Sequence, residues 1–331
     1  MKKIKRAMKI LSGLTALFII VNAAPAPNAK DEYISHRVTK GETVSLICID
    51  CFGYYAADYG VRFLKDNPSV KDINRIYTGQ TLRFFNPCFK PRAAEGAAPA
   101  IERKVAASQG VVTYVEGKAV VVPKSDSLKR ALLSNTIVYP GDVIRTLANG
   151  KAEIIINRET VVRMRENTTL IIDNIRDPGA DKGKSTIGFT IGSLWTKMKK
   201  FKDKVARFEL ELPTAIAGVH GTVYETTVNK DTSSEVKVFD GEVAVSSNPK
   251  PSGAAASGIT EIGGPEEVAG PHEVSMEQWV RIVGEMQRMT IDKKGVPRPV
   301  ETFDKNPHDA WEQWNEERDR RISEMFDEVA E

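Results

Sequence analysis

Apolar residues along this chain recur at two periods, and the change of period divides it. Residues 33–86 read strand, helix, helix, strand. Residues 33–38 suit a short strand, and Lys40-Gly41-Glu42-Thr43 a turn that opens a helix with Thr43 as its N-cap. Val44, Ile47, Cys48 and Cys51 then fall on one helical face. A second helix fits residues 56–65, with Tyr59, Phe63 and Leu64 inward. It ends at Asn67-Pro68, where proline cannot continue it. Residues 81–85 alternate as a closing strand.

From 106 to 246 the period is two. Short runs at 110–117, 118–122, 141–146, 151–156 and 163–172 read as strands. Phe208, Leu210 and Leu212 alternate with Glu209 and Glu211, giving one dry and one wet face. Residues 235–245 read as a hairpin about Asp240-Gly241. Only 194–205 suggests a helix. Beyond this, 274–283 predicts a last strand anchored by Trp279. Asn306-Pro307-His308-Asp309 predicts a helix start with Asn306 at the cap. Trp311, Trp314 and Arg318 share a face of that helix, which suits packing on the β region or a partner protein.

The expected fold is therefore multidomain: a small βααβ module at 33–86, an all-β region of short strands at 106–246, and a C-terminal charged α-helix at 301–331. Pro-, Gly- and Ala-rich stretches at 87–105 and 247–264 read as linkers, and 265–300 as an extension carrying a strand.

Charge changes the picture at the two ends. The chain has 331 residues and a formal net charge of +3, but residues 1–23 hold five basic residues and no acid, leaving −2 for the rest. A basic start, an apolar run at 10–21 and small residues at Ala23 and Ala24 form the layout of a secretory signal peptide cut after Ala23. The mature chain is expected to be exported to the periplasm or cell envelope, with no transmembrane segment and no general case for nucleic-acid binding. Residues 301–331 carry eleven acids against four bases, and residues 197–204 carry five lysines against one aspartate. Export permits disulfides. Of the three cysteines, Cys88 is expected to bridge Cys48 or Cys51, leaving one thiol.

Three motifs give the first module a family likeness. Lys40-Gly41-Glu42-Thr43-Val44, Asn67-Pro68-Ser69 and Ile76-Tyr77-Thr78-Gly79-Gln80-Thr81-Leu82, in that order and spacing, resemble a LysM domain. The resemblance implies two antiparallel strands with both helices on one side. It also implies a shallow groove for N-acetylglucosamine glycans such as peptidoglycan or chitin. Carried over by motif, the glycan-binding residues are Gly41, Glu42, Thr43, Asn67, Pro68, Ile76, Tyr77 and Gly79.

In the β region, Gly141-Asp142-Val143-Ile144-Arg145-Thr146, Gly192-Ser193-Leu194-Trp195, the run from 212 to 222, and Val238-Phe239-Asp240-Gly241-Glu242-Val243 resemble a FecR-type domain. The resemblance implies an all-β roll or solenoid-like stack of short strands. His220 stands where that family's motif commonly has arginine. The namesake proteins are membrane-spanning signal relays, and the layout of this chain does not carry that role over.

No G-x-S-x-G, H-E-x-x-H or P-loop occurs, and the four histidines fall in separate segments. The sequence thus predicts a non-enzymatic protein with no catalytic residues, no cofactor and no metal. Its LysM module would tether a FecR-type interaction or assembly module to peptidoglycan, with an envelope protein as a further partner. The alternatives are a cell-wall hydrolase and an envelope sensor acting through a separate membrane protein.

Overall fold

The computed structural model describes residues 32–53, 55–86, 109–176, 183–200, 208–248 and 279–327, with side chains described to 323. The leader at 1–23, the linker at 87–105, nearly all of that at 247–264, the 265–278 part of the extension and Cys88 lie outside the described residues.

The N-terminal part runs β1 (Tyr33–Arg37), α1 (Val44–Phe52), α2 (Ala57–Asp66) and β2 (Thr81–Phe85). β1 and β2 pair antiparallel, Tyr33 opposite Phe85 and Arg37 opposite Thr81. Thr43 caps α1: its Oγ1 accepts from the Leu46 N–H at 3.3 Å. Gly53 ends α1 at φ +70°, a left-handed conformation that a side chain would disfavour. Asn67 ties α2 to β2, donating to the Phe63 and Arg83 carbonyls and accepting from the Arg83 N–H at 2.8–2.9 Å. The expected single inward face of α1 is too narrow. Residues 44–49 are all buried, because the helix has a second neighbour besides its own module.

That neighbour is a body of seventeen strands among the described residues. They are β3 (Gly110–Glu116), β4 (Ala119–Val122), β5 (Arg130–Ala131), β6 (Ile137–Val138), β7 (Val143–Thr146), β8 (Lys151–Ile156), β9 (Thr160–Met164), β10 (Thr169–Asn174) and β11 (Ser185–Met198). Then come β12 (Phe208–Glu211), β13 (Ala215–Val219), β14 (Val223–Val228), β15 (Ser234–Asp240), β16 (Val243–Ser247), β17 (Val280–Val283), β18 (Gln287–Ile291) and β19 (Glu301–Thr302). Hydrogen bonding orders a first layer as β6-β3-β8-β9-β11-β14-β15-β18-β19. A second layer runs β5-β4-β7-β10-β11-β12-β13-β16-β17.

The long strand β11 belongs to both layers. Its residues up to Ile191 pair with β10, and from Gly192 it pairs with β14. Gly192 makes the crossing at φ +110°, where a Cβ would overlap Thr168. Among the described residues every pairing is antiparallel except β11 with β12. Alternation puts Ile154, Val162, Leu194 and Val238 of the first layer against Ile144, Leu170, Ile187 and Leu210 of the second, all fully buried.

Two expectations change here. Residues 194–198 are strand, not helix. Leu194 and Met198 face the interlayer core while Trp195 joins an aromatic cluster on the opposite face, a period of two. The Asp240-Gly241 turn, with Gly241 at φ +84°, is real, but β15 pairs with β14 and β18 and β16 with β13 and β17, not with each other. The turn carries the chain from one layer to the other.

α3 (Ala310–Asp327) crosses the outer face of the first layer. Its cap is Asp309, whose carboxylate accepts from the Trp311 N–H at 2.7 Å and the Glu312 N–H at 3.2 Å. Asn306, the expected cap, instead accepts from the His308 N–H within the preceding turn. The fold is mostly β, with three helices among the described residues.

Candidate functional site

Two loops of the N-terminal module carry most of the sequence-predicted site. The first, residues 39–43, is held by Glu42, which accepts from the Thr39 N–H at 2.6 Å and lies 3.0 Å from His36 Nε2. Burial alone would raise the Glu42 pKa, but His36 and the Thr39 amide bring it below the ordinary value. Gly41 turns at φ +79° and is exposed. The second loop, residues 67–80, closes through Gly79 at φ +86°, whose N–H donates to the Val38 carbonyl at 2.7 Å. The two loops thus meet beside α1.

The predicted residues divide by what they already touch. Pro68, Tyr77 and Gly79 are exposed, Tyr77 at 68 %. Ile76 is half-buried against the module core. Asn67 is buried and spent as the clamp between α2 and β2. Thr43 donates its hydroxyl to the Thr113 carbonyl of β3 at 2.8 Å. Residues that the motifs did not single out lie between the loops. Asn135, in the turn before β6, accepts from the Ser45 N–H at 2.7 Å and donates to Asn74 Oδ1 at 3.0 Å. Asn135 joins segments that are far apart in sequence, so only the fold could find it. Apolar contact surrounds these bonds: Val111, Ile155 and Val161 of the first layer share one core with Leu46, Ile47 and Cys48.

α3 covers the neighbouring part of the same face with charge. Glu153 receives Arg163 Nε at 2.7 Å and Arg318 Nη2 at 2.6 Å, and Arg163 Nη1 reaches Asp319 at 2.6 Å. Arg163 and Glu153 are fully buried. Burial alone would raise the Glu153 pKa, but Arg318 and Arg163 hold it well below the carboxylate range. The indole N–H of Trp195 donates to Asp319 and that of Trp311 to Glu225, both at 3.0 Å. Lys237 bridges Glu312 at 2.9 Å and Glu225 at 3.8 Å. Burial raises the Glu225 pKa above its ordinary value, with Lys237 opposing. Arg321 of α3 reaches Thr39 in the first module loop, and Ile322 is buried in the module core. The helix therefore staples the module to the β body.

A cavity of about 350 Å³ opens beside α3, with Trp195 and Phe239 buried at its floor and Lys197, Asp240, Lys305 and Arg320 around it. Cys48 is buried and unbridged, its thiol pKa pushed well up by burial, while Cys51 is half-buried. His220 lies in the turn after β13. Among the described residues no three His, Cys, Asp or Glu side chains converge as metal ligands, and no helix is long and apolar enough to cross a membrane.

No curated protein matches the chain. Two crystal structures of a candidate anti-sigma factor from Parabacteroides distasonis ATCC 8503, at 1.65 and 2.50 Å resolution, are similar at 13% identity and a TM-score of 0.36. Each match covers 52% of this chain and 64% of that one, under two thirds of its length. Residues 142–244 match the family model described as FecR protein, a stretch that runs from the start of β7 into β16 through both layers. The chain thus carries a FecR domain at residues 142–244.

Proposed function

We propose that this is an exported, non-enzymatic envelope protein that binds N-acetylglucosamine glycans, peptidoglycan foremost, through a LysM-like N-terminal module. The FecR body and α3 form a rigid platform for a second envelope protein. One observation carries the reading: two strands and two helices bring the loops at 39–43 and 67–80 together beside the N-terminus of α1. Backbone groups in such loops can bond acetamido groups while Tyr77 offers an apolar surface. Sedimentation of the full chain with insoluble peptidoglycan tests it. Retention should fall with Tyr77→Ala and with Gly79→Trp; retention unaffected by either places the glycan elsewhere or nowhere.

The FecR domain favours a second reading, an envelope sensor that signals through a separate membrane protein. Crosslinking of the full chain in intact envelopes separates the two. A sensor yields one membrane-protein adduct whose abundance changes with the stimulus, whereas a tether yields glycan-bound protein throughout.

A further inference from the structure

Resting on the glycan reading of the module, we propose that the space between its two loops is an acetamide-recognition site, and that the chain fills it with its own Asn135. The side-chain orientation follows from the partners. The Ser45 N–H is a donor and requires the carboxamide oxygen, 2.7 Å away. The Ile73 carbonyl, 3.4 Å away on the other side, only accepts and requires the nitrogen. Asn74 Oδ1 takes the same NH2 group at 3.0 Å.

An N-acetyl group presents the same pair, one C=O and one N–H on a planar amide, with its methyl where Asn135 has Cβ. The Ser45 N–H is among the first amides of α1, which the helix itself leaves without partners and which favour an acceptor. Nothing in the LysM motif names Ser45, Ile73 or Asn74, yet these three supply the complementary groups.

Asn135 is built to stay. Its backbone takes φ +67°, and its N–H donates to the Val112 carbonyl at 2.7 Å while the Val112 N–H donates to Thr136 at 2.8 Å. Thr43 and Ser45 bond the adjacent carbonyls of β3. A glycan acetamide and the docked β body therefore compete for one N–H. With the body seated the protein binds glycan weakly at this site, and removing the carboxamide opens it.

The test uses the full chain, titrated calorimetrically with an N-acetylglucosamine tetramer, a soluble peptidoglycan fragment, and a glucose tetramer lacking acetamides. Asn135→Gly removes the carboxamide and keeps the positive φ. It should bind one or both acetylated probes at least about tenfold tighter than wild type, and the glucose tetramer not at all; which probe gains names the polymer. Equal affinity of wild type and N135G for the acetylated probes overturns the self-occupied site and leaves the glycan reading standing. Absence of binding in both proteins overturns the glycan reading itself, and the inference with it. Comparable binding of the glucose tetramer overturns acetamide recognition. If N135G fails to fold, Asn135→Ala serves, because it likewise removes the carboxamide and leaves the Ser45 N–H open to a ligand; unchanged affinity there overturns the proposal equally.

Discussion

The outer face of the first layer is covered by two elements that use opposite chemistry. Under the N-terminal module the contacts are Val111, Ile155 and Val161 against Leu46 and Ile47, edged by neutral hydrogen bonds. Under α3 they are a buried cluster of Glu153, Arg163, Arg318 and Asp319, flanked by two indole N–H bonds. Apolar contact is tolerant of small shifts. A buried ion cluster accepts one register only, because a displaced charge loses its partner in a medium that does not solvate it. The module is therefore held by area and the helix by address, and the helix transfers its precision to the module through Arg321 and Ile322.

Arg163→Met should cost most, because it strands Asp319 and half of the Glu153 charge. A loss of about 3–5 kcal/mol is expected from the urea midpoint. Replacing Glu153, Arg163 and Arg318 by methionine together with Asp319 by asparagine, which still accepts from Trp195 and leaves no buried charge behind, should be far milder, neutral or stabilising, if the cluster sets position rather than stability. Trp311→Ala comes next, at about 3–5 kcal/mol, because a ring 3 % exposed is removed along with its bond to Glu225. Trp314→Ala should cost less, since that ring is only partly buried. On the apolar side, Ile155→Val should cost about 0.5–1.5 kcal/mol, with no change in the helix.

Acid sharpens the contrast further. Glu153 is held below the ordinary carboxylate range in the folded protein. The unfolded chain therefore takes up that proton first as pH falls. The stability from this group is complete above the unfolded value, about pH 4.3, and is lost only as pH drops from there toward the folded value. Glu225 has the opposite sign: its raised pKa makes the folded state bind the proton more readily, so stability declines as pH rises through that value. Glu225→Gln keeps an acceptor for Trp311, and should flatten this decline in urea midpoints taken across mildly acid to neutral pH. This is the smallest effect expected.

The sequence carried the elements better than their pairing. Thr43 as a cap, the βααβ order and the alternation at Phe208 and Leu210 were all legible, because each depends on neighbours in the chain. Asp240-Gly241 was legible as a turn but misleading as a hairpin, since a positive-φ glycine serves a layer-to-layer corner as well as a β-turn. Residues 194–198 misled because what fixes them is remote: Trp195 and Lys197 face a helix more than a hundred residues away. Asn306 lost the cap to Asp309 because both are good cap residues three apart. Of the candidate site, the motif picked out Gly41, Tyr77 and Gly79, which lie exposed in the two loops, but Asn135 has no local signal, and its partner Ser45 is 90 positions distant.

Module, β body and α3 should unfold as one packed unit. The four tryptophans, Trp195, Trp279, Trp311 and Trp314, all lie in the body and helix, while Cys48 is buried in the module. A single urea titration of the full chain can therefore follow both, by tryptophan fluorescence and by a brief thiol-labelling pulse with the modified Cys48 peptide quantified by mass spectrometry. One shared midpoint is the predicted result. Labelling of Cys48 at distinctly lower urea than the fluorescence change would contradict it, and would make the module an independent domain merely resting on the sheet.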